Sequence, residues 1–247
     1  LASDGFFYAD PEEVEPLAWE LTTHEEDTLR GTAIKRLLMK SSDSPRASQY
    51  LERGIEALHR DPSSNVRQEA ASGLKWYAKD RPEGRERVME VLMRRVADEG
   101  EEAGVRANCY ENLADLVIRE DEDEELVGLV SGENEAARSK VEQIGWELTT
   151  HEEDTLRGTA IEELLKNFSD SPRASQYLER GIEMLHHDPS SDVRREAVFG
   201  LSWYAARRPE VRERVMKELM RRVADKEEDE SVRDTCRINL KKLYKVL

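Results

Sequence analysis

Apolar residues recur along this chain at intervals of three and four, which is the spacing of one helix face. A representative stripe consists of Val66, Ala70, Gly73, Leu74 and Tyr77. The alternation of apolar and polar residues that marks strands does not occur. The pattern predicts helices near 11–22, 26–41, 45–59, 62–80, 82–98 and 103–118, and again near 136–149, 153–167, 172–186, 189–207, 209–225 and 229–246. These segments pair as six antiparallel hairpins.

Prolines mark several of the predicted helix starts. Asp10-Pro11, Ser44-Pro45 and Asp61-Pro62 each offer a side-chain acceptor followed by proline. A helix N-cap prefers such an acceptor, and proline is tolerated at the first helical position because its missing N–H would have no partner there. We therefore expect the first, third and fourth helices to begin at these prolines.

The chain is internally duplicated. The stretch WELTTHEEDTLRGTAI occupies Trp19–Ile34 and recurs unchanged at Trp146–Ile161. At an offset of about 127 residues, roughly 70 of about 98 aligned positions are identical. The predicted organisation is a block at 1–118, a linker at 119–135 and a second block at 136–247. The linker contains six consecutive acidic residues, Glu120 to Glu125, and we expect one short helix near 124–130 within it.

A shorter repeat lies inside each block. Pairs of an apolar residue and arginine recur just under ~40 residues apart, a typical period of helical-hairpin solenoids. The segments DPSSNVRQEAASGL and DPSSDVRREAVFGL carry this repeat most clearly. Their Asp-Pro, Val-Arg and Gly-Leu steps resemble the HEAT repeats of short bacterial or archaeal proteins. The resemblance implies an all-α fold, an α-α superhelix, in which Arg67 and Arg194 form a structural ladder with aspartates of neighbouring turns.

Charge and composition narrow the possible partners. The formal net charge is −16, which disfavours binding to a phosphate backbone. No apolar run reaches the length of about 20 residues that a membrane span needs. The start of the sequence lacks both a methionine and the features of a signal peptide, so we expect a processed, tagged or excised chain located in the cytoplasm. Cys109 and Cys236 occupy equivalent positions and are predicted to be small buried groups.

The doubled His-Glu pairs raise the question of a metal site. His24-Glu25 and His151-Glu152 are similar to the pairs that hold a di-iron centre in deoxyhypusine hydroxylase, a helical-repeat enzyme. In that family, however, the pairs follow the apolar-Arg step inside the helix, whereas His24 precedes this step. We therefore interpret the histidines as parts of helix starts, with Thr23 as a capping residue, and predict neither a metal nor another cofactor.

A second helical-repeat comparison concerns DNA. The Trp76-Tyr77 and Trp203-Tyr204 pairs could belong to a surface like that of alkylpurine DNA glycosylases. Both pairs are duplicated, however, and a catalytic pocket is normally unique. A nucleic-acid-acting enzyme of this kind is the alternative hypothesis, and an engineered or recently duplicated chain without a settled ligand is a third.

The preferred hypothesis is a non-enzymatic scaffold that binds proteins or peptides on its second helices. An acidic chain favours basic partners. Near-identical blocks could also exchange helices and form a domain-swapped homodimer. The predicted binding residues are Lys75, Trp76, Lys79, Ser202, Trp203 and Arg207.

Overall fold

The computed structural model describes residues 11–40, 44–117 and 132–245, and these ranges contain helices and turns but no strand. The helices are α1 Pro11–Leu21, α2 Asp27–Lys40, α3 Ala47–Arg60, α4 Ser64–Asp80, α5 Pro82–Val96, α6 Ala103–Leu116, α7 Gly132–Leu148, α8 Asp154–Asn167, α9 Ala174–His187, α10 Ser191–Arg207, α11 Pro209–Ala224 and α12 Glu230–Tyr244. The predicted all-α fold of stacked hairpins is confirmed. The short helix predicted near 124–130 lies outside the described residues.

The chain divides into two compact units, Leu1–Leu116 and Val117–Leu247. In the first unit α2 packs on α4 and α4 packs on α6, so the second helices of the three hairpins form one layer. The first helices, α1, α3 and α5, each pack against the second helix of their own hairpin. The second unit repeats this arrangement with α8, α10 and α12 in one layer and α7, α9 and α11 in the other. No described helix is long and apolar enough to cross a membrane.

Four of the predicted helix starts, those of α3, α4, α9 and α10, are displaced by two residues. The Asp61 carboxylate accepts a hydrogen bond from the Ser63 backbone N–H at 3.0 Å, and α4 begins only at Ser64. The Ser44 hydroxyl likewise accepts from the Arg46 N–H at 3.1 Å, ahead of α3. The proline of each Asp-Pro or Ser-Pro step therefore belongs to a turn, because the acceptor before it bonds to a backbone N–H two residues on.

Small residues let the helices approach closely in the core. A Cβ at Gly54 would lie 2.7 Å from Cδ1 of Leu38, and a Cβ at Gly73 would lie 2.8 Å from the same atom. Leu38 is fully buried, so it fills the space that the two glycines leave between α2, α3 and α4. Cys109 and Cys236 are buried free thiols.

Arginines of the second helices join each hairpin to the next. Arg30 binds both carboxylate oxygens of Asp61, at 2.7 and 2.9 Å, and also donates to the backbone carbonyl of His24 at 2.6 Å. Arg67 repeats this one hairpin later, because its Nη1 donates to the Asp61 carbonyl and its Nη2 lies 2.8 Å from Glu101 Oε1. Asp61, in the turn between the two helices of the second hairpin, thus receives one arginine on its side chain and the next on its backbone carbonyl.

The second unit has the same ladder. Arg157 binds Asp188 at 2.9 Å, and Arg194 binds Glu228 at 2.7 Å. The expectation of an aspartate partner for Arg67 and Arg194 needs correction, since both pair with a glutamate of the following hairpin. Aspartate is instead the partner of the preceding arginine in each unit. The longer glutamate side chain bridges the step from the second to the third hairpin.

Candidate functional site

The tryptophans of the second helices are exposed. Trp76 on α4 is 40% exposed, and Trp203, its equivalent on α10, is 49% exposed. The ammonium groups of Lys75 and Lys79 lie 5.6 and 5.5 Å from the centroid of the Trp76 ring. Such a distance allows a cation–π attraction. The Lys75 ammonium also lies 2.9 Å from the carboxylate of Asp115 on α6, so one of the two cations is already paired.

The second unit surrounds its tryptophan differently. The guanidinium of Arg207 lies 5.6 Å from the Trp203 ring centroid and donates to the Lys166 carbonyl at 3.0 Å. The prediction of Ser202 as a binding residue needs correction. Its side chain is buried, and its hydroxyl donates to the Val198 carbonyl at 2.6 Å. A buried hydroxyl that already has its acceptor offers no contact to a partner protein.

The His-Glu pairs lie in the turns before α2 and α8. Nδ1 of His24 accepts a hydrogen bond from the Glu26 N–H at 3.0 Å, and Nδ1 of His151 does the same for Glu153 at 3.1 Å. The sequence predicted Thr23 as the cap of α2, and this prediction is wrong. The Thr23 hydroxyl instead donates to the Glu20 carbonyl at 3.0 Å. Within the described ranges, no group of three or more His, Cys, Asp or Glu side chains could hold a metal ion.

Each unit contains an open cleft between its first and third helices. The cleft of the first unit encloses about 500 Å³ and that of the second about 760 Å³. The same eight residue types line both clefts, in the same order along the chain. They are Trp19, Glu20, Thr22, Thr23, Gln49, Glu52, Arg53 and Glu56 in the first unit, and Trp146, Glu147, Thr149, Thr150, Gln176, Glu179, Arg180 and Glu183 in the second.

The floor of each cleft is aromatic. The ring of Trp19 packs against that of Tyr50, with centroids 5.6 Å apart. Trp146 and Tyr177 repeat the pair at 5.8 Å. Each tryptophan is half-buried, since one part of the ring contacts the neighbouring hairpin and the rest borders the cleft. A half-buried indole next to solvent is a surface on which a cationic or aromatic side chain can stack.

The walls of the clefts are acidic, with one arginine in each. Arg53 donates to the Thr22 carbonyl at 2.8 Å, at the end of α1, and pairs with Glu56 at 2.9 Å. Arg180 makes the same contacts with Thr149 and Glu183. The C-terminal end of a helix carries a partial negative charge, which adds to that of the glutamates. Three glutamates against one arginine leave each lining negative.

An arginine of the next hairpin fixes one glutamate of each wall. Arg87 on α5 binds Glu52 at 2.5 Å, and Arg214 on α11 binds Glu179 at 2.5 Å. The hydrogen bond from Arg214 lowers the pKa of Glu179, which stays ionised at neutral pH. These contacts hold the acidic wall in place without removing the other carboxylates from solvent.

Two carboxyl groups distinguish the second-helix layer of the second unit. Glu162 on α8 and Glu196 on α10 hydrogen-bond to one another through their side chains. Burial, together with this bond, raises the pKa of Glu162 to about 8. The equivalent residues of the first unit are an ordinary ion pair, Lys35 and Glu69, at 2.8 Å. Raised carboxyl pKa values occur at active sites, but also in structural networks.

The cleft residues and the carboxyl pair were not among the residues predicted from the sequence. The signal for the clefts was present, because all eight lining positions fall within stretches that are identical in the two blocks. The signal for the carboxyl pair was a difference between the blocks and not an identity. Lys35-Arg36 in the first block is replaced by Glu162-Glu163 in the second. Neither signal reveals that the residues meet, since the contacts depend on how the hairpins stack.

Comparisons with known proteins give a fold likeness and no family. No family model matches the chain, and no curated protein matches it. Among solved structures, the chain is similar to the complex of CpcE and CpcF of phycocyanin lyase from Nostoc sp. PCC7120. The match covers 93% of this chain and 94% of that chain, at 15% sequence identity and a TM-score of 0.43. At this identity and TM-score the likeness assigns no function to the chain.

The same comparison corrects one prediction. The sequence predicts a protein without enzymatic activity, and this prediction is contradicted because the similar structure is that of a phycocyanin lyase, an enzyme. That similar structure is also a complex of two protein subunits.

Proposed function

We propose that this helical-repeat protein binds other proteins by accepting basic segments in its two acidic clefts. The observation that carries the proposal is the identity of all eight lining residues between the units. On the second helices the two units have diverged, for example at residues 35, 75 and 79, where lysines are replaced by Glu162, Ser202 and Ala206. Two clefts with the same lining would favour the same kind of ligand.

The chemistry of the cleft fits a lysine or arginine side chain. The exposed carboxylates of Glu20 and Glu56 can receive the charged end, and the carbonyls at the end of α1 add to the negative potential. The face of Trp19 can receive the aliphatic part or the cation itself. Because the carboxylates are exposed, we expect modest affinity per cleft and strong weakening by salt.

The test uses a fluorescein-labelled peptide of alternating arginine and serine, followed by fluorescence anisotropy at low and physiological salt. The variant carries Glu20→Gln, Glu56→Gln, Glu147→Gln and Glu183→Gln, which remove four charges and preserve the shape of both clefts. We expect binding to weaken about tenfold or more, because each lost ion pair contributes up to about 1 kcal/mol.

The matched control is Glu86→Gln with Glu213→Gln. These exposed glutamates occupy equivalent positions on α5 and α11, outside the clefts. The control should retain nearly wild-type binding. The proposal fails if the peptide does not bind the wild-type protein, or if the control weakens binding as much as the cleft variant does.

We also propose that the repeats are of the HEAT type and that the exposed second-helix residues make additional partner contacts. The ladder of Arg30, Arg67 and their acidic partners supports the first part. Trp76 and Trp203, with Lys75, Lys79 and Arg207, support the second part, because exposed tryptophans flanked by cations are common at protein interfaces. These cations fit acidic groups of a partner, whereas the clefts fit basic ones.

The glycosylase-like alternative has less support. It needs cations and an unduplicated acidic residue in one groove. Here the lysines around Trp76 belong to the first unit, and the unduplicated pair of Glu162 and Glu196 belongs to the second. Binding of a single-stranded oligonucleotide more tightly than the basic peptide would reverse this ranking.

A further inference from the structure

The two clefts differ in the position of an arginine near their aromatic pair and in one contact of a lining glutamate, because the Gln143 amide donates to Glu147 at 2.8 Å in the second unit only. In the first unit, the Arg46 guanidinium lies over Trp19, with Cζ 5.0 Å from the ring centroid, and 5.8 Å from the centroid of Tyr50. Arg46 thus occupies the aromatic surface that a cation from outside would use. The Arg46 Nε donates weakly to the side-chain oxygen of Gln49, a residue that lines the cleft, at 3.3 Å.

The equivalent arginine of the second unit points elsewhere. Arg173 donates from Nη1 to the Gln143 side-chain oxygen at 3.0 Å. In the part of the chain that the structure describes, no cation lies over the ring of Trp146. The aromatic pairs beneath are nearly identical, tilted at 48° for Trp19 and Tyr50 and at 47° for Trp146 and Tyr177. The arginine is therefore the difference over the rings, and the second cleft is the larger one, about 760 against 500 Å³.

A single sequence change accounts for the two arginine positions. Gln143 on α7 corresponds to Pro16, which lies inside α1. Proline has no side-chain acceptor, so Arg46 has no counterpart of the Gln143 amide to bind. The nearby indole is then the available partner for its guanidinium, since the face of an aromatic ring attracts a cation.

We propose that the cleft at Trp146 is the primary site for a lysine or arginine side chain of a partner, and that Arg46 occludes the equivalent site at Trp19. Gln143 is then a specificity-determining residue, because it holds Arg173 away from the indole. This inference rests on the proposed function and divides the two clefts into an open one and a self-occupied one. A partner would bind first at the second unit and would have to displace Arg46 to bind at the first.

The test observes each tryptophan separately. The full chain is labelled with ¹⁵N, and its indole N–H signals are assigned with single Trp→Phe variants. A blocked Gly-Ser-Arg-Gly-Ser peptide is then titrated into the protein. We expect the Trp146 signal to shift with a Kd about threefold or more below that of Trp19, the ratio that a displaced cation–π contact implies.

Two variants should each reduce the difference between the Kd values at Trp19 and Trp146, one by strengthening binding at Trp19 and the other by weakening binding at Trp146. Arg46→Ala should bring the Kd at Trp19 to within about twofold of that at Trp146, because it uncovers the indole. Gln143→Ala should weaken binding at Trp146 by a similar factor, because it frees Arg173 to cover the ring. The control Arg60→Ala removes the same charge from an exposed position on α3 and should leave the ratio unchanged.

The outcomes separate this inference from the proposed function. Equal Kd values at Trp19 and Trp146 in the wild-type protein would overturn the inference and leave the binding of basic segments intact. An unchanged Kd at Trp19 in Arg46→Ala would also overturn it. If neither indole signal moves with the peptide while both variants stay folded by circular dichroism, the proposed function itself fails.

Discussion

Glu162 and Glu196 hydrogen-bond through their carboxyl groups at the positions where the first unit has an ion pair. One of the two groups must hold a proton for this bond to form. Burial and the neighbouring carboxylate raise the pKa of Glu162, so the folded chain retains a proton that the unfolded chain releases. The second unit therefore carries a proton-dependent contact between α8 and α10 that the first unit lacks.

This contact makes stability depend on pH. Between the ordinary glutamate value of 4.5 and the raised value of about 8, the folded state binds more protons than the unfolded state, so stability falls as pH rises. The variant Glu162→Gln keeps a donor without the ionisation. It should match the wild type near pH 5 and exceed it by about 2 kcal/mol near pH 8.5 in urea unfolding.

The control for this prediction is Glu152→Gln, an exposed substitution in the same unit. Its stability difference from the wild type should stay near zero across the same pH range. A difference between Glu162→Gln and the wild type that does not grow with pH would refute the assignment of the proton to this pair.

The ladder glutamates should be sensitive to loss of charge. The side chain of Glu228 is fully buried between the guanidinium groups of Arg194 and Arg222. Glu228→Gln removes the buried anion that Arg194 and Arg222 share, leaving Arg222 with Asp225 alone, and should lower the free energy of unfolding by about 3 kcal/mol. Asp234→Asn, which breaks an exposed pair with Arg237, should cost less than about 1 kcal/mol. Equal costs in urea unfolding would contradict this reading of the ladder.

Glycines at close helix contacts should tolerate no added methyl group. A Cβ at Gly73 would lie 3.0 Å from Cα of Lys35 and closer still to Leu38, so Gly73→Ala must push α2 away from α4. We expect a loss of about 2 kcal/mol in thermal or urea unfolding. At Gly31 the nearest atoms lie at 3.4 Å, and Gly31→Ala should stabilise the protein by about 0.5 kcal/mol through helix propensity. Two effects of the same sign would argue against the close packing.

The duplication itself predicts exchange of helices between chains. A helix hairpin of one molecule can replace its near-identical counterpart in another, giving a domain-swapped homodimer. Size-exclusion chromatography with light scattering, after refolding at low and high concentration, should detect a dimer fraction that increases with concentration. A strict monomer at every concentration would rule this out.

The sequence was sufficient to predict most of the fold. Helical spacing of apolar residues predicted every described helix to within a few residues, because buried stripes such as that of Val66 and Tyr77 are local patterns. The prediction failed at the starts of α3, α4, α9 and α10, where the proline belongs to a turn that a side chain closes.

The clefts could not be predicted in the same way. Trp19 and Glu56 are far apart in sequence, and they line one cleft only because α1 and α3 lie side by side. The burial of Ser202 likewise depends on α10 packing between its neighbours. The different positions of Arg46 and Arg173 result from the change between Pro16 and Gln143 on an adjacent helix. The sequence does not reveal this effect, because it depends on how that helix packs against the arginine.

Each arginine of the ladder reaches forward by one hairpin and no further. Arg30 couples the first hairpin to the second, and Arg67 couples the second to the third. A module held mainly by its nearest neighbours opens from its ends, since a terminal hairpin has one adjoining hairpin and a central hairpin has two. In hydrogen exchange, the amides of α4 and α10 should therefore be the slowest to acquire deuterium within their units.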